Sequence, residues 1–135
     1  MTPIKECLIN KKTNLNPIWL MRQAGRYLPE FREIRKNNTN FIDLCLNPKL
    51  SERITIQPID RFDFDAAIIF SDILMIPYGL GQNVEFKKNF GPSLGKINIA
   101  EVLETEENIF TDKLSPIYKL LQNLAKNNKL KNKDL

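Results

Sequence analysis

The feature that most constrains the fold of this chain is a run of five apolar residues, 66–70, followed directly by Ser71 and Asp72. Short uninterrupted apolar runs are typical of strands that are buried on both faces of a parallel sheet. In parallel α/β folds, ligands bind where such strands end, at the carboxyl edge of the sheet. Asp72 is therefore a candidate site residue. The alternative is that Asp72 caps a following turn or helix, as aspartate often does.

A second apolar run, residues 18–21, is also expected to form a buried strand. Between the two runs, Asn47 and Pro48 mark the start of a helix, because asparagine caps helices and proline fits their first turn. We expect this helix to extend over residues 48–62 and to be kinked at Pro58. The order of strand, helix and strand is typical of a parallel sheet in an α/β fold.

Helical spacing of apolar residues predicts further helices. Residues 29–36 and 41–46 are expected to form short helices, and residues 98–110 one or two more. A longer amphipathic helix is expected over residues 116–125. The inward-facing residues predicted for the helices 29–36, 48–62 and 116–125 are Phe31, Ile34, Leu50, Ile54, Ile59, Ile117, Leu120, Leu121 and Leu124.

The remaining segments have weaker signals. We expect residues 75–81 to interrupt regular structure, residues 84–86 to form a short β element and residues 91–95 to form a turn. The Lys- and Asn-rich residues 126–135 are expected to be solvated, with no strand after the last helix. Because a parallel α/β fold would continue with further strands, we expect the chain to be part of a larger architecture.

Composition narrows the possible chemistry. Of the 135 residues, 42% are hydrophobic and 27% are charged, as in a soluble globular domain. Histidine is absent, which excludes His-based catalytic triads and His-ligated zinc sites within these residues. Cys7 and Cys45 are far apart and lie in no metal-binding spacing, which favours free thiols in a reducing, cytoplasmic compartment.

Charge and hydropathy limit the expected partners. The net charge of +4 favours anionic ligands only weakly. A pI of about 9.1 suits a nucleic-acid-binding protein, but interleaved aromatic residues and a binding motif are absent, so we expect no nucleic-acid partner. No apolar run is long enough to cross a bilayer, and the first residues lack the layout of a signal peptide. We therefore expect no membrane association.

Two arginines flank a glycine directly after the first predicted strand, in the loop Arg22, Gln23, Ala24, Gly25 and Arg26. Guanidinium groups bind carboxylate or phosphate oxygens at two points, so two of them on one loop would suit a polyanionic ligand. The alternative is a solvated loop that is ion-paired with nearby Glu30 and Glu33. If both predicted strands point the same way, the arginines and Asp72 converge on one pocket.

Two long segments carry a family resemblance. Residues 17–32, PIWLMRQAGRYLPEFR, resemble the N-terminal signature of the uroporphyrinogen decarboxylase family, and residues 64–74, FDAAIIFSDIL, resemble its second signature. Gln57-Pro58 and residues 77–81 also fit, and the resemblance extends over about residues 3–125. It implies an α/β fold in which residues 1–135 form the incomplete N-terminal part of a (β/α)8 TIM barrel. It also implies a homodimer.

The resemblance implies an activity as well. Family members remove the carboxyl groups of the four acetate side chains of uroporphyrinogen III, which gives coproporphyrinogen III for haem synthesis, and they use no metal or organic cofactor. By the matching motifs, Asp72 would be the catalytic group that accepts hydrogen bonds from the pyrrole N–H groups. The substrate carboxylates would be bound by the loop Arg22, Gln23, Ala24, Gly25 and Arg26. The proton donor stays unassigned.

One departure from the family pattern bears on activity. Family members are much longer, and the downstream Tyr, Ser or Thr, and His of their substrate pocket have no counterpart in this chain. We therefore expect the isolated chain to be inactive, and to associate through exposed strand edges. The alternative function is that of a truncated or split fragment that acts at most as a binding piece.

Overall fold

Helices make up most of the regular structure in a computed structural model that describes residues 1–12, 14–20, 27–87 and 90–135. The elements are α1 (Pro3–Asn10), α2 (Pro29–Asn37), α3 (Phe41–Cys45), α4 (Pro48–Phe62), α5 (Met75–Gly79), β1 (Val84–Lys87), β2 (Gly91–Leu94), α6 (Ile99–Leu103), α7 (Glu107–Ala125) and a 3-10 helix (Asn128–Leu130). Among the described residues, no helix has both the length and the apolar character needed to cross a membrane.

The helices α3 and α4 begin at asparagine caps. The side chain of Asn40 accepts hydrogen bonds from two backbone N–H groups in the first turn of α3, and that of Asn47 accepts one in the first turn of α4. These bonds satisfy amide groups that have no partner inside the helix. The predicted helices 29–36, 41–46 and 48–62 are confirmed to within one residue at each end.

Two apolar clusters meet on α4. The buried members of the first, which joins α4 to α2 and α3, are Leu28, Phe31, Ile34, Ile42, Leu44, Cys45, Ile54, Phe70, Met75, Val84 and Leu114. Those of the second, which lies between α4 and α7, are Ile56, Ile59, Phe64, Ala67, Leu120, Leu124 and Leu130. Most predicted inward residues are buried, but Leu50 and Ile117 are only half-buried. The prediction for Leu121 was wrong, because 37% of this residue is exposed.

The described residues do not form the parallel sheet predicted from the runs 66–70 and 18–21. Residues 66–70 are extended and largely buried but belong to no strand; Ala66 pairs with Asp134 in an isolated parallel bridge. Residues 18–20 form no strand and are exposed, because no described element packs over them. They are joined to Asp65, just before the extended segment, by two hydrogen bonds: the N–H of Asp65 donates to the C=O of Ile18 at 2.9 Å, and the N–H of Ile18 donates to Oδ2 of Asp65 at 2.7 Å.

The chain after α7 returns to the extended segment, although most of its residues are exposed. Leu130 is buried in the second cluster. The C=O of Asp134 accepts a hydrogen bond from the N–H of Ala67 at 2.8 Å, and the N–H of Asp134 donates to the C=O of Asp65 at 3.1 Å. The predicted solvated end without a strand is confirmed for most of these residues, and the buried Leu130 and the isolated bridge at Asp134 are exceptions. Ion pairs of Lys129 with Asp60 and of Lys133 with Asp63 also hold this segment.

In three further segments, the observed secondary structure differs from the predicted one or defines it more closely. Residues 75–79 form α5, although an interruption of regular structure was predicted there. The β element at 84–86 is confirmed as β1, but the predicted turn at 91–95 is largely β2, paired antiparallel with β1. The short helices predicted within 98–110 are confirmed as α6 and the start of α7, which begins at Glu107 and continues through Pro116.

Candidate functional site

Asp72, the predicted catalytic residue, lies between the extended segment 66–70 and α5. Its Oδ1 accepts a hydrogen bond from the N–H of Leu74 at 2.9 Å, and its backbone C=O accepts one from the N–H of Met75 at 3.0 Å. The side chain therefore caps a tight turn, which is the alternative that the sequence left open. Within the described part of the chain, Oδ2 of Asp72 makes no hydrogen bond.

The loop predicted to bind substrate carboxylates falls outside the described residues. Its members are Arg22, Gln23, Ala24, Gly25 and Arg26. Their binding role, and their convergence with Asp72, therefore stay predictions. The alternative reading pairs this loop with Glu30, but Glu30 already has another cationic partner. Its carboxylate accepts two hydrogen bonds from the Arg61 guanidinium, at 2.9 and 2.8 Å.

Phe70 fixes the chain just before Asp72 in an aromatic cluster. Its ring meets the rings of Phe31 and Phe41 edge-on, with centroids 5.8 and 5.9 Å away. Edge-to-face contacts of this kind add to the stability gained from burial. Phe31 lies on α2 and Phe41 on α3, so two helices from earlier in the chain hold the end of the extended segment in place.

The buried thiol of Cys45 interacts electrostatically with Asp72. Cys45 is 1% exposed at the end of α3, and burial raises the pKa of its thiol to about 12. The negative charge of Asp72 contributes to this rise, whereas the positive charge of Arg35 opposes it. The Cys45 thiol is therefore neutral at physiological pH, which excludes it as a nucleophile.

Arg35 is a cation close enough to Cys45 to lower the pKa of its thiol. Its guanidinium group donates hydrogen bonds to the C=O groups of Asn38 and Thr39 and lies 5.3 Å from the centre of the Phe41 ring. These contacts hold the charge at the C-terminal end of α2. Sequence reasoning did not single out Arg35, because no motif contains it together with Cys45 or Asp72.

A groove of about 770 Å³ along α4 does not include Asp72. Its charged groups are largely paired with one another, as in the Glu30–Arg61 pair and the Asp60–Lys129 pair at 2.6 and 2.7 Å. Among the described residues, no group of three or more Cys, Asp or Glu side chains could hold a metal ion. The functional prediction therefore depends on the turn at Asp72 rather than on this groove.

Comparison with known proteins identifies the family. The family model "Uroporphyrinogen decarboxylase (URO-D)" matches residues 2–133. This chain belongs to the uroporphyrinogen decarboxylase family. Over 108 residues, 80% of the chain, it is 49% identical to the uroporphyrinogen decarboxylase of Mesorhizobium japonicum and 51% identical to that of Chelativorans sp.. It is 50% identical to that of Agrobacterium fabrum over the same number of residues.

The comparisons confirm the resemblance stated from the two signatures. The family match includes both Asp72 and the loop 22–26. The chain spans only about a third of the length of these relatives, 32% for the first two and 31% for the third. In this member of the uroporphyrinogen decarboxylase family, a mixture of helices and a small antiparallel sheet is consistent with part of a larger domain.

Proposed function

We propose that this chain is the N-terminal portion of a uroporphyrinogen decarboxylase, a lyase of porphyrin biosynthesis. The observation that carries the proposal is the family match over residues 2–133, which includes both predicted parts of the site. The reaction is removal of the four acetate carboxyl groups of uroporphyrinogen III to give coproporphyrinogen III. In this proposal residues 1–135 belong to one (β/α)8 barrel, and the whole enzyme is a cytoplasmic homodimer.

The pairing around the extended segment supports the barrel. Ala66 and Asp134 pair in parallel, and α7 lies between them in the chain. A helix that connects two parallel strands is the repeating unit of such barrels. Residue 65 also bonds to Ile18. A barrel would extend these short contacts into a ladder once further strands and helices cover them.

Asp72 is proposed to stabilise the cation that forms during decarboxylation. Protonation of a pyrrole carbon makes the ring cationic, and the ring then accepts the electron pair of the breaking C–C bond as carbon dioxide leaves. A second proton then converts the remaining exocyclic carbon to a methyl group, and the proton first added to the ring carbon leaves, so that the neutral pyrrole is restored and each carbon dioxide released consumes one net proton. A carboxylate that accepts hydrogen bonds from the ring N–H groups favours this cation, and Oδ2 is the atom available for those bonds.

The surroundings of Asp72 suit this role. Its Oδ1 is already held by the N–H of Leu74, so the carboxylate does not reorient when the cation forms. Phe70 and Cys45 are both buried, and Asp72 itself is partly buried. Fewer water molecules around the carboxylate strengthen its interaction with a positive ring. Arg22 and Arg26 are proposed to bind the carboxylates of the substrate.

The test joins this chain to the C-terminal two thirds of the Mesorhizobium japonicum relative and measures formation of coproporphyrinogen. Asp72→Asn removes the charge and is expected to lower kcat by about 10²–10³. Asp112→Asn is the matched control, because Asp112 is exposed on α7, and it should retain the rate. If kcat of the Asp72→Asn variant stays within about threefold, the role of Asp72 is refuted.

The second candidate is a non-catalytic binding piece. It is favoured by one observation, that the chain spans only about a third of its relatives. The 135-residue chain alone is expected to show no decarboxylation, and oxidised uroporphyrin III is a stable probe of binding. Quenching of Trp19, the sole tryptophan, would report that binding. Binding by a chain whose completed form stays inactive would support the second candidate over the first.

A further inference from the structure

Helix α4 contains two hydroxyl groups on its buried face. Ser51 is 0% exposed and Thr55 is 1% exposed, although the positions around them are mostly apolar. Serine and threonine inside a helix compete for backbone hydrogen bonds and give little helix stability. A buried hydroxyl also needs a partner to offset the loss of water. Each of these two buried hydroxyl groups is therefore expected to form hydrogen bonds that stabilise the fold.

The two hydroxyl groups tie three segments together. Thr55 Oγ1 donates to the C=O of Ser51 at 2.8 Å and accepts a hydrogen bond from the N–H of Phe70 at 2.9 Å. Ser51 Oγ donates to the C=O of Leu44, in α3, at 3.0 Å. Each hydroxyl is thus used by the backbone of a neighbouring segment. Thr55 in particular joins the middle of α4 to the last residue of the extended segment.

Phe70 is the point from which the chain continues to Asp72. Its N–H is held by Thr55, and its ring is held by the aromatic contacts to α2 and α3. Only Ser71 separates Phe70 from Asp72, whose carboxylate is in turn bonded to Leu74. Anchors on both sides of Asp72 leave its backbone little freedom. The anchor on the N-terminal side consists of one hydroxyl group and one ring.

We propose that Thr55 is a positioning residue for Asp72. The inference rests on the function proposed above for Asp72, but the contact itself does not. A valine at position 55 would fill nearly the same volume and would leave the N–H of Phe70 without its acceptor. A buried donor without an acceptor is costly, so the segment would shift to find another partner. Small displacements of a catalytic group have large effects on rate.

The first test measures amide hydrogen exchange in the 135-residue chain. Thr55→Val should speed exchange at the Phe70 amide about ten- to a hundredfold, and should also speed exchange at the Leu74 amide, which is bonded to Asp72. Thr55→Ser keeps the hydroxyl and should restore protection at both. Thr105→Val is the matched control, because Thr105 makes the same kind of bond, to Glu101, without accepting one from another segment.

The outcome at Leu74 decides the inference. If Thr55→Val leaves exchange at Leu74 unchanged while exchange at Phe70 rises, then Thr55 anchors Phe70 but does not hold Asp72, and the proposal is overturned. It is also overturned if neither amide responds. Circular dichroism of each variant separates these local effects from loss of the fold, and Thr55→Ser keeps the comparison usable if the valine variant does not fold.

The second test uses a double-mutant cycle in the completed enzyme described above. Thr55→Val should lower kcat about tenfold with KM nearly unchanged, and Thr55→Ser should restore it. In the Asp72→Asn background, Thr55→Val should have little further effect, because it acts through a carboxylate that is already absent. Equal losses in both backgrounds would indicate a merely structural role and would overturn the proposal.

The two tests separate the two proposals. A normal rate for Asp72→Asn would refute the proposed function of Asp72, whatever Thr55 does. The exchange measurements would still decide whether Thr55 holds the segment that carries Asp72. Conversely, a large effect of Asp72→Asn with no coupling to Thr55 would retain the proposed function and overturn only the positioning role.

Discussion

Replacing Leu124 by alanine should destabilise this chain far more than the same change at Leu121, three residues earlier on the same helix. Leu124 is 0% exposed in the cluster between α4 and α7, whereas Leu121 is 37% exposed. The apolar spacing of α7 predicts both as core residues, so the pair tests the structure against the pattern. Both variants carry the same chemical change and the same change in helix propensity.

The expected magnitude follows from burial. Removing a fully buried leucine side chain leaves a cavity and costs about 2–5 kcal/mol of the free energy of unfolding. At position 121 most of the lost contact is with solvent, so we expect less than about 1 kcal/mol. With a urea m-value of about 2 kcal/mol/M, a 3 kcal/mol loss lowers the midpoint by about 1.5 M. Urea unfolding followed by circular dichroism measures both variants. Similar midpoint shifts for the two would refute the packing of α7.

Two further predictions concern titratable groups. Hydrogen bonds from the Arg61 guanidinium hold the pKa of the Glu30 carboxyl below its ordinary value of 4.5. The stability that this pair contributes is therefore fully present above pH 4.5 and is lost as the pH falls through the lowered pKa. Glu30→Gln should remove that part of the dependence of the urea midpoint on pH, and identical profiles would contradict the pairing. Burial raises the pKa of the Cys45 thiol to about 12, so in the folded chain at pH 8 iodoacetamide should label Cys7 and spare Cys45. Mass spectrometry reads the labelled positions, and equal labelling of both would show that Cys45 is accessible.

Local chemistry explains which helices the sequence predicted well. Helix α4 has a capping asparagine, a proline in its first turn and apolar residues at helical spacing, all within fifteen positions. The start of α3 is likewise set by Asn40. Each of these signals acts between residues that are neighbours in the chain, so no knowledge of the fold is needed to interpret them.

Long-range pairing explains what the sequence could not predict. The residues of β2, which include Gly91 and Pro92, have the composition of a turn, but antiparallel pairing with β1 makes them a strand. Pro116 resembles a helix start, yet α7 begins at Glu107 because apolar contacts of Leu114 hold the earlier turns in place. Burial of residues 18–20 would depend on neighbours that the described residues do not provide. For β2 and α7, the deciding contact joins residues that are distant in the chain.

The two readings of Asp72, as a turn cap and as a catalytic carboxylate, are compatible in this geometry. Oδ1 caps the turn by accepting the N–H of Leu74, and Oδ2 stays available for a ligand. The cap therefore serves the proposed reaction, because it fixes the direction of the second oxygen. Two substitutions separate these contributions. Asp72→Asn removes the charge but keeps an oxygen that can cap, whereas Asp72→Ala removes both, so we expect only the alanine variant to lose about 1 kcal/mol of the free energy of unfolding. In the completed enzyme both should lose activity. Equal stability of the two variants in urea would show that the Oδ1 cap does not stabilise the turn. It would also refute the inference that this cap orients Oδ2.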